Sequence, residues 1–229
     1  MRRIEISGGI GAGKTTLARA LAAGLDGARL VEEDVRTVPF FAEFYREPQA
    51  YAFEKNVSFL LSHADRIRQA ARAALRDRAA GPILCDYALF QDLAYADIAC
   101  EPGDVAAVEG VYTRLAERVG APALVIDLSC SPQTQLRRIE QRGRPEEAQV
   151  GRDYLAALCA AVDRRRTALL ASLPGLPTIT LDTDALDWGT NPDDVEAVLA
   201  AVKAALERQG ELARAAPSPS TPLAAAASF

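Results

Sequence analysis

Gly8-Gly9-Ile10-Gly11-Ala12-Gly13-Lys14-Thr15 satisfies the pattern G-x-x-x-x-G-K-[ST] at every position. It follows Arg3–Ile6, a short apolar run that reads as a strand. It precedes Thr15–Ala23, an Ala/Leu-rich run that reads as a helix stopped at Gly24. In that context the glycines let the loop curl until successive backbone N–H groups point at phosphate oxygens, and the helix N-terminus adds its partial positive charge. Lys14 is expected to reach the β- and γ-phosphates of a bound nucleoside triphosphate, and the Thr15 hydroxyl to ligate Mg²⁺. Gly8 through Thr16 therefore read as a nucleoside-triphosphate site. Only three of the 26 basic residues are lysines, and one of them falls where the chemistry wants a compact point charge.

Working outward, four more runs have the look of buried parallel strands: Ala28–Glu32, Pro82–Asp86, Ala123–Leu128 and Thr178–Leu181. Between them lie helical stretches. The longest is Gln49–Ala80, in which Phe53, Val57, Leu60, Leu61 and Ala64 recur at helical spacing and are expected to form one buried face. Others are Leu89–Ala99, Val105–Val119, Pro132–Gln141, Asp153–Ser172 and Pro192–Gln209. Strands separated by crossover helices predict an α/β protein of the P-loop NTPase fold, a five-stranded parallel sheet with helices on both faces. Its ligands are expected at the carboxyl ends of the strands. Residues 1–209 read as one domain, and 210–229 as an Ala/Pro/Ser-rich, disordered tail.

Composition narrows the classes. The chain has 229 residues, 49% hydrophobic and 25% charged, with a net charge of −5, which suits a globular α/β core. The acidic balance argues against a DNA or RNA partner. No apolar run reaches the roughly 18 residues of a membrane span, and Met1–Ser7 does not resemble a secretory signal, so a cytoplasmic location is expected. One histidine, His63, and four cysteines without a CxxC pair exclude a histidine cage and disfavour zinc.

A magnesium site needs a carboxylate at a neighbouring strand end. Asp86 is the better candidate and Asp127 the rival. A second cluster lies at Arg138, Arg142 and Arg144. The first two are i, i+4 on a helix, and Gly143 frees the chain before the third. A flap over about 138–150 could bring these guanidiniums onto a transferring phosphoryl group and exclude water.

Gly8–Thr16, Val31-Glu32-Glu33-Asp34-Val35, Phe44-Tyr45-Arg46-Glu47-Pro48, Tyr51-Ala52-Phe53-Glu54-Lys55-Asn56, Asp86–Asp92, Arg138–Glu147 and Asp153-Tyr154-Leu155 follow one another in a set order and spacing. Together these segments resemble the deoxyribonucleoside kinases. The resemblance spans about residues 3 to 185. It implies ATP-dependent phosphorylation of a deoxyribonucleoside 5′-hydroxyl. Glu33 would be the general base, Tyr45 and Glu147 would hold the sugar 3′-hydroxyl, and Asn56 and Asp92 would face the base. Asp86 would sit near Mg²⁺ and the 5′-hydroxyl. The resemblance also implies a homodimer.

Four positions depart from the family pattern. Tyr87-Ala88 replaces Arg-Ser after Asp86, His63 stands where many members have arginine, Lys55 replaces an apolar or aromatic residue, and Asp34 replaces proline. All touch the nucleoside side. Two other readings therefore stay open: a kinase of the same fold acting on a modified nucleoside or another small alcohol, and a nucleotide-binding, non-catalytic partner of a kinase. Restoring arginine and serine at 87 and 88 is expected to raise activity on ordinary deoxynucleosides.

Overall fold

The computed structural model describes residues 2–77 and 79–215. Its strands are β1 (Arg3–Gly8), β2 (Arg29–Val31), β3 (Ile83–Cys85), β4 (Leu124–Ser129) and β5 (Thr178–Asp182), and all pair in parallel in the order β2-β3-β1-β4-β5. The helices are α1 (Lys14–Gly24), α2 (Phe41–Arg46), α3 (Pro48–Leu75), α4 (Gln91–Ala99), α5 (Pro102–Val119), α6 (Pro132–Arg142), α7 (Arg152–Ser172) and α8 (Pro192–Ala215). Every residue of β1 is buried, as expected of a central strand covered on both faces. Leu17 and Leu21 of α1 and Val198 and Val202 of α8 pack one face of the sheet. Phe90, Ala94, Leu158 and Val162 join the opposite packing from α4 and α7.

Register positions the site. Ile4 pairs with both Leu84 and Leu124, so β1 lies between β3 and β4. The loop leaving β1 therefore emerges beside Asp86, which follows β3. Two charges within β1 are satisfied internally. Arg3 pairs with Glu5 at 2.8 Å and donates to the Val119 and Gly120 carbonyls, while Glu5 accepts from the Leu89 amide. Buried ions tolerate such an interior only when paired in this way.

The five expected strands are present, and differences fall at helix ends. α3 stops at Leu75 rather than Ala80 because Gly81 must approach the chain before β2 closely. Its N–H donates to the Gly27 carbonyl at 2.8 Å, and a Cβ there would stand 2.0 Å from the Asp26 carbonyl. α5 starts at Pro102, since proline is tolerated in the first turn. α2 was not expected from the sequence: six residues are too short for periodicity to register. α8 runs to Ala215, six residues beyond the boundary set at 209 from composition, and 216–229 lie outside the described residues.

Candidate functional site

The P-loop is held open by its neighbours as much as by its own glycines. Gly13 caps α1 at φ +97°, and a Cβ there would meet the Trp188 indole at 3.1 Å. Trp188 Nε1 donates to the Gly13 carbonyl at 3.2 Å. Gln91, at the start of α4, pairs with Gly8 in both directions. Its Nε2 donates to the Gly8 carbonyl at 2.9 Å, and its Oε1 accepts the Gly8 N–H at 3.0 Å. Lys14 Nζ lies across the loop, donating to the carbonyls of Gly8 and Gly9 at 2.8 and 2.9 Å. Burial pushes this ammonium down, while Glu33 and Asp86 oppose the shift.

Beside the loop, Thr15 Oγ1 donates to Asp86 Oδ2 at 2.8 Å, and Asp86 Oδ1 accepts the Glu33 amide at 2.7 Å. Burial pushes the Asp86 carboxyl up, opposed by these hydrogen bonds. Asp127 is engaged elsewhere. It accepts from Ser7 Oγ at 2.6 Å and pairs with Arg166 at 3.3 Å, so Asp86 is the strand-end carboxylate that meets the P-loop threonine. Among the described residues no group of three or more His, Cys, Asp or Glu side chains forms a metal cage. The Thr15 and Asp86 oxygens are hard donors of the kind that would suit a magnesium ion.

One cleft of about 200 Å³ brings Gly11, Gly13, Lys14, Thr15, Thr16, Ile10 and Asp86 together with Glu33, Tyr45, Asn56, Asp92 and Glu147. Its far end is aromatic, formed by Phe44, Phe59 and Tyr95, with Tyr154 of α7 also on the wall. Tyr45, on α2, packs edge-on against Phe41 and Phe44. Gly8, Gly9 and Ala12 stand behind the lining as loop backbone.

The three arginines of the expected flap separate. Arg142 and Arg144 line the cleft and both reach Glu147, Arg142 at 2.6 Å and Arg144 at 3.5 Å. Gly143, left-handed at φ +63°, makes the turn between them. Arg138 does not line the cleft. Its guanidinium binds the Thr183 carbonyl at 2.8 Å and approaches the Gly11 and Ala12 carbonyls at 3.4 Å, clasping the loop from outside. The i, i+4 spacing of Arg138 and Arg142 set a common helix side, but Thr183 after β5 captures the first.

His63 joins the two halves of the cleft. It is 2% exposed. Its Nδ1 meets Asp92 Oδ2 at 2.8 Å and its Nε2 meets Glu33 Oε1 at 3.1 Å. Burial alone would lower the imidazole, but Asp92 and Glu33 together raise it to about 10, so it is an imidazolium. Burial tends to raise Glu33, and His63 and Lys14 outweigh it, holding this carboxylate below its usual range. Its side chain remains about one-third exposed to the cleft. An ionised carboxylate with one oxygen bound to a cation has its second oxygen free to accept a proton.

The family model for deoxynucleoside kinases matches residues 4–207. The chain belongs to the deoxynucleoside kinase family. Among its relatives in this family is the deoxyguanosine kinase of Bacillus subtilis (strain 168), 30% identical over 200 residues that cover 87% of this chain and 95% of the relative. The deoxyadenosine kinase of Lactobacillus acidophilus is 28% identical over 224 residues, covering 91% and 98%. The solved structure of deoxyadenosine kinase from M. mycoides with bound dCTP superposes with a TM-score of 0.71 over 88% of this chain and 99% of that one, at 22% identity, which is a likeness of fold. As a member of this kinase family the chain is a nucleoside-phosphorylating enzyme, and no described helix is long and apolar enough to cross a membrane.

Two residues of this kinase site escaped sequence reasoning. Gln91 lies inside the Asp86–Asp92 segment but nothing in it points to Gly8, 83 residues earlier, which only the fold brings opposite. Trp188 is the sole tryptophan, a signal of singularity but not of position.

Proposed function

We propose that the chain transfers the γ-phosphoryl group of ATP to the 5′-hydroxyl of a deoxyribonucleoside, with Glu33 as general base. The observation that carries this reading is the position of Glu33. It lies between the P-loop lysine and, through His63, the Asp92 carboxylate at the aromatic end.

In this reading the nucleoside 5′-oxygen gives its proton to the free oxygen of Glu33 as it attacks the γ-phosphorus. The bond between that phosphorus and the β,γ-bridging oxygen breaks, and ADP leaves. The P-loop amides, Lys14, Arg142 and Arg144 balance charge that spreads over the transferring group. Arg138 acts at one remove, through the loop backbone it clasps. Thr15 and Asp86 would hold Mg²⁺, which when bound would supply positive charge against the phosphates. Tyr45 and Glu147 hold the sugar, the latter fixed by its two arginines, while Asn56 and Asp92 face the base. Residues 1–209 act as one kinase domain with a lid over about 138–150, and the chain works as a cytoplasmic homodimer. Leu61, expected on the buried face of α3, is instead half exposed, which supports a subunit contact there.

A non-catalytic role is disfavoured by the same geometry, since Lys14, Glu33 and two lid arginines converge on one cleft. The test is direct: protein, Mg-ATP and a panel of common deoxynucleosides, following ADP and 5′-monophosphate. Tight ATP binding without monophosphate from any of them would refute the reading.

A further inference from the structure

The aromatic end of the cleft holds a charge that phosphoryl transfer does not use. Lys55, on α3, is 7% exposed. Its ammonium lies 4.3 Å from the Phe44 ring centroid, 5.5 Å from Tyr95 and 5.7 Å from Phe59, and the cation and all three rings line the cleft. Among the described residues no hydrogen bond or ion pair holds it, and Asp92 and Glu33 act on it only from a longer range. The rings replace part of its lost hydration, yet they leave three N–H donors unused. Burial lowers the group to about 8, opposed by Cys100, Asp92 and Glu33, so it is still largely charged at neutral pH. A buried cation without a protein acceptor is costly to the fold, and a group of that kind facing a cleft is one that a ligand completes.

Its neighbours restrict what that ligand offers. Asn56 has committed its amide nitrogen, which donates to the Ala52 carbonyl at 2.8 Å and to Cys100 Sγ at 3.3 Å. Only its carbonyl oxygen remains. Asp92 gives one oxygen to His63 and keeps the other as an acceptor. The base end thus presents one cluster of donors, on Lys55, beside acceptors.

We propose that Lys55 donates to the adjacent O6 and N7 of a 6-oxopurine, and so selects guanine or hypoxanthine as the base of the nucleoside bound in this cleft. Guanine carries these two acceptors side by side, the edge that lysine reads best. Its N1–H and amino group suit the oxygens of Asn56 and Asp92. Adenine sets an amino group next to N7, and cytosine sets one on the corresponding edge, so each would turn a donor towards the ammonium. The asparagine pairing that suits adenine needs an amide that both gives and accepts, and Asn56 has no free N–H. This inference rests on the nucleoside-kinase reading for the class of ligand.

Binding, measured apart from turnover, decides it. Calorimetry at pH 7 on the full chain compares deoxyguanosine, deoxyinosine, deoxyadenosine and deoxycytidine, with Lys55→Met and Lys55→Gln alongside and folding checked by circular dichroism. The wild type is expected to bind the two 6-oxopurine nucleosides at least 10-fold more tightly than the others. Lys55→Met is expected to weaken them by about 5- to 150-fold more than it weakens the others, with Lys55→Gln intermediate. Equal losses for all four nucleosides, or a wild type that prefers adenine or cytosine, would overturn the proposal. Selective binding without monophosphate formation would support the Lys55 assignment while refuting phosphoryl transfer, so the two failures are told apart.

Discussion

Tyr87 lies flat on His63, with ring centroids 3.9 Å apart and 14° between planes, and its hydroxyl donates to the His63 carbonyl at 3.0 Å. The imidazolium therefore rests on the negative face of a phenol ring while its nitrogens engage Glu33 and Asp92. Two departures from the family pattern, at 63 and 87, are one arrangement. The cation beside the acidic groups is supplied by His63, and position 87 supports it.

That coupling reverses the expectation of gain from restoring Arg-Ser. Tyr87 is 4% exposed and Ala88 1% exposed, and a guanidinium at 87 would confront a buried cation. Tyr87→Arg is expected to destabilise the fold by about 3 kcal/mol or more and to lower turnover, whereas Tyr87→Phe should cost only about 1 kcal/mol through the lost hydroxyl bond. Urea denaturation with parallel kinase assays measures both. A Tyr87→Arg protein of normal stability and higher activity would mean that His63 is not the resident cation.

His63 makes stability depend on pH with a definite sign. Its value in the fold, about 10, lies above the ordinary 6.5. Its stabilising contribution is thus complete below about 6.5 and is lost as pH rises through 10. His63→Gln is expected to be less stable than wild type by about 3–5 kcal/mol at pH 6, with the gap closing towards pH 10. Without the imidazolium Glu33 should titrate higher, moving the acid limb of kcat/KM upward; an unmoved limb would show that His63 does not tune Glu33.

Glu33→Gln keeps the size of the side chain and removes its basicity. Nucleotide affinity should change less than twofold, while kcat falls by roughly 10²- to 10⁴-fold. Equilibrium nucleotide binding and single-turnover rates separate the two effects. Retained turnover would assign the base elsewhere, and Asp86 would be examined next.

Lys55 carries the opposite linkage. Its value of about 8 lies below the ordinary 10.5, so the folded state disfavours the bound proton. The destabilisation is full below about 8 and is relieved as pH rises through 10.5. Lys55→Met, which keeps contact with the three rings, should be more stable than wild type by about 1–2 kcal/mol at pH 7 after the lost cation–π contacts are counted. That margin should vanish near pH 10.5. Thermal denaturation at the two pH values provides the check, and a less stable variant at pH 7 would mark Lys55 as structural.

Much of this molecule is legible in one dimension because its strongest signals are local. The G-x-x-x-x-G-K-T loop needs only its flanking strand and helix to be read, and the five short apolar runs announce a buried parallel sheet. Asp86 is legible as a strand-end acid, and Glu33 only through the family resemblance. What the sequence could not carry were choices made by tertiary partners. Asp127, in sequence the rival to Asp86, is removed from the contest only by Ser7 and Arg166, which claim it. Arg138 looked equivalent to Arg142 until Thr183 drew it to the outside of the loop. His63, in sequence only a residue standing where many members have arginine, becomes a buried bridge through the convergence of α3, α4 and the segment after β2. Lys55, in sequence merely an odd residue beside Asn56, becomes a caged cation once α2 and α4 bring their rings around it.

The indole that touches Gly13 gives the protein a built-in optical gauge. Trp188 is the only tryptophan in the chain, it is 7% exposed, and its single polar bond ends on the carbonyl preceding the P-loop lysine. Excitation near 295 nm would address that one ring, roughly where indole absorbs and tyrosine does not. Adding nucleotide should then change the emission in proportion to loop occupancy, with no label attached, and Trp188→Phe should abolish the signal. Donor binding can thus be followed in the same cuvette in which the nucleoside end of the cleft is varied.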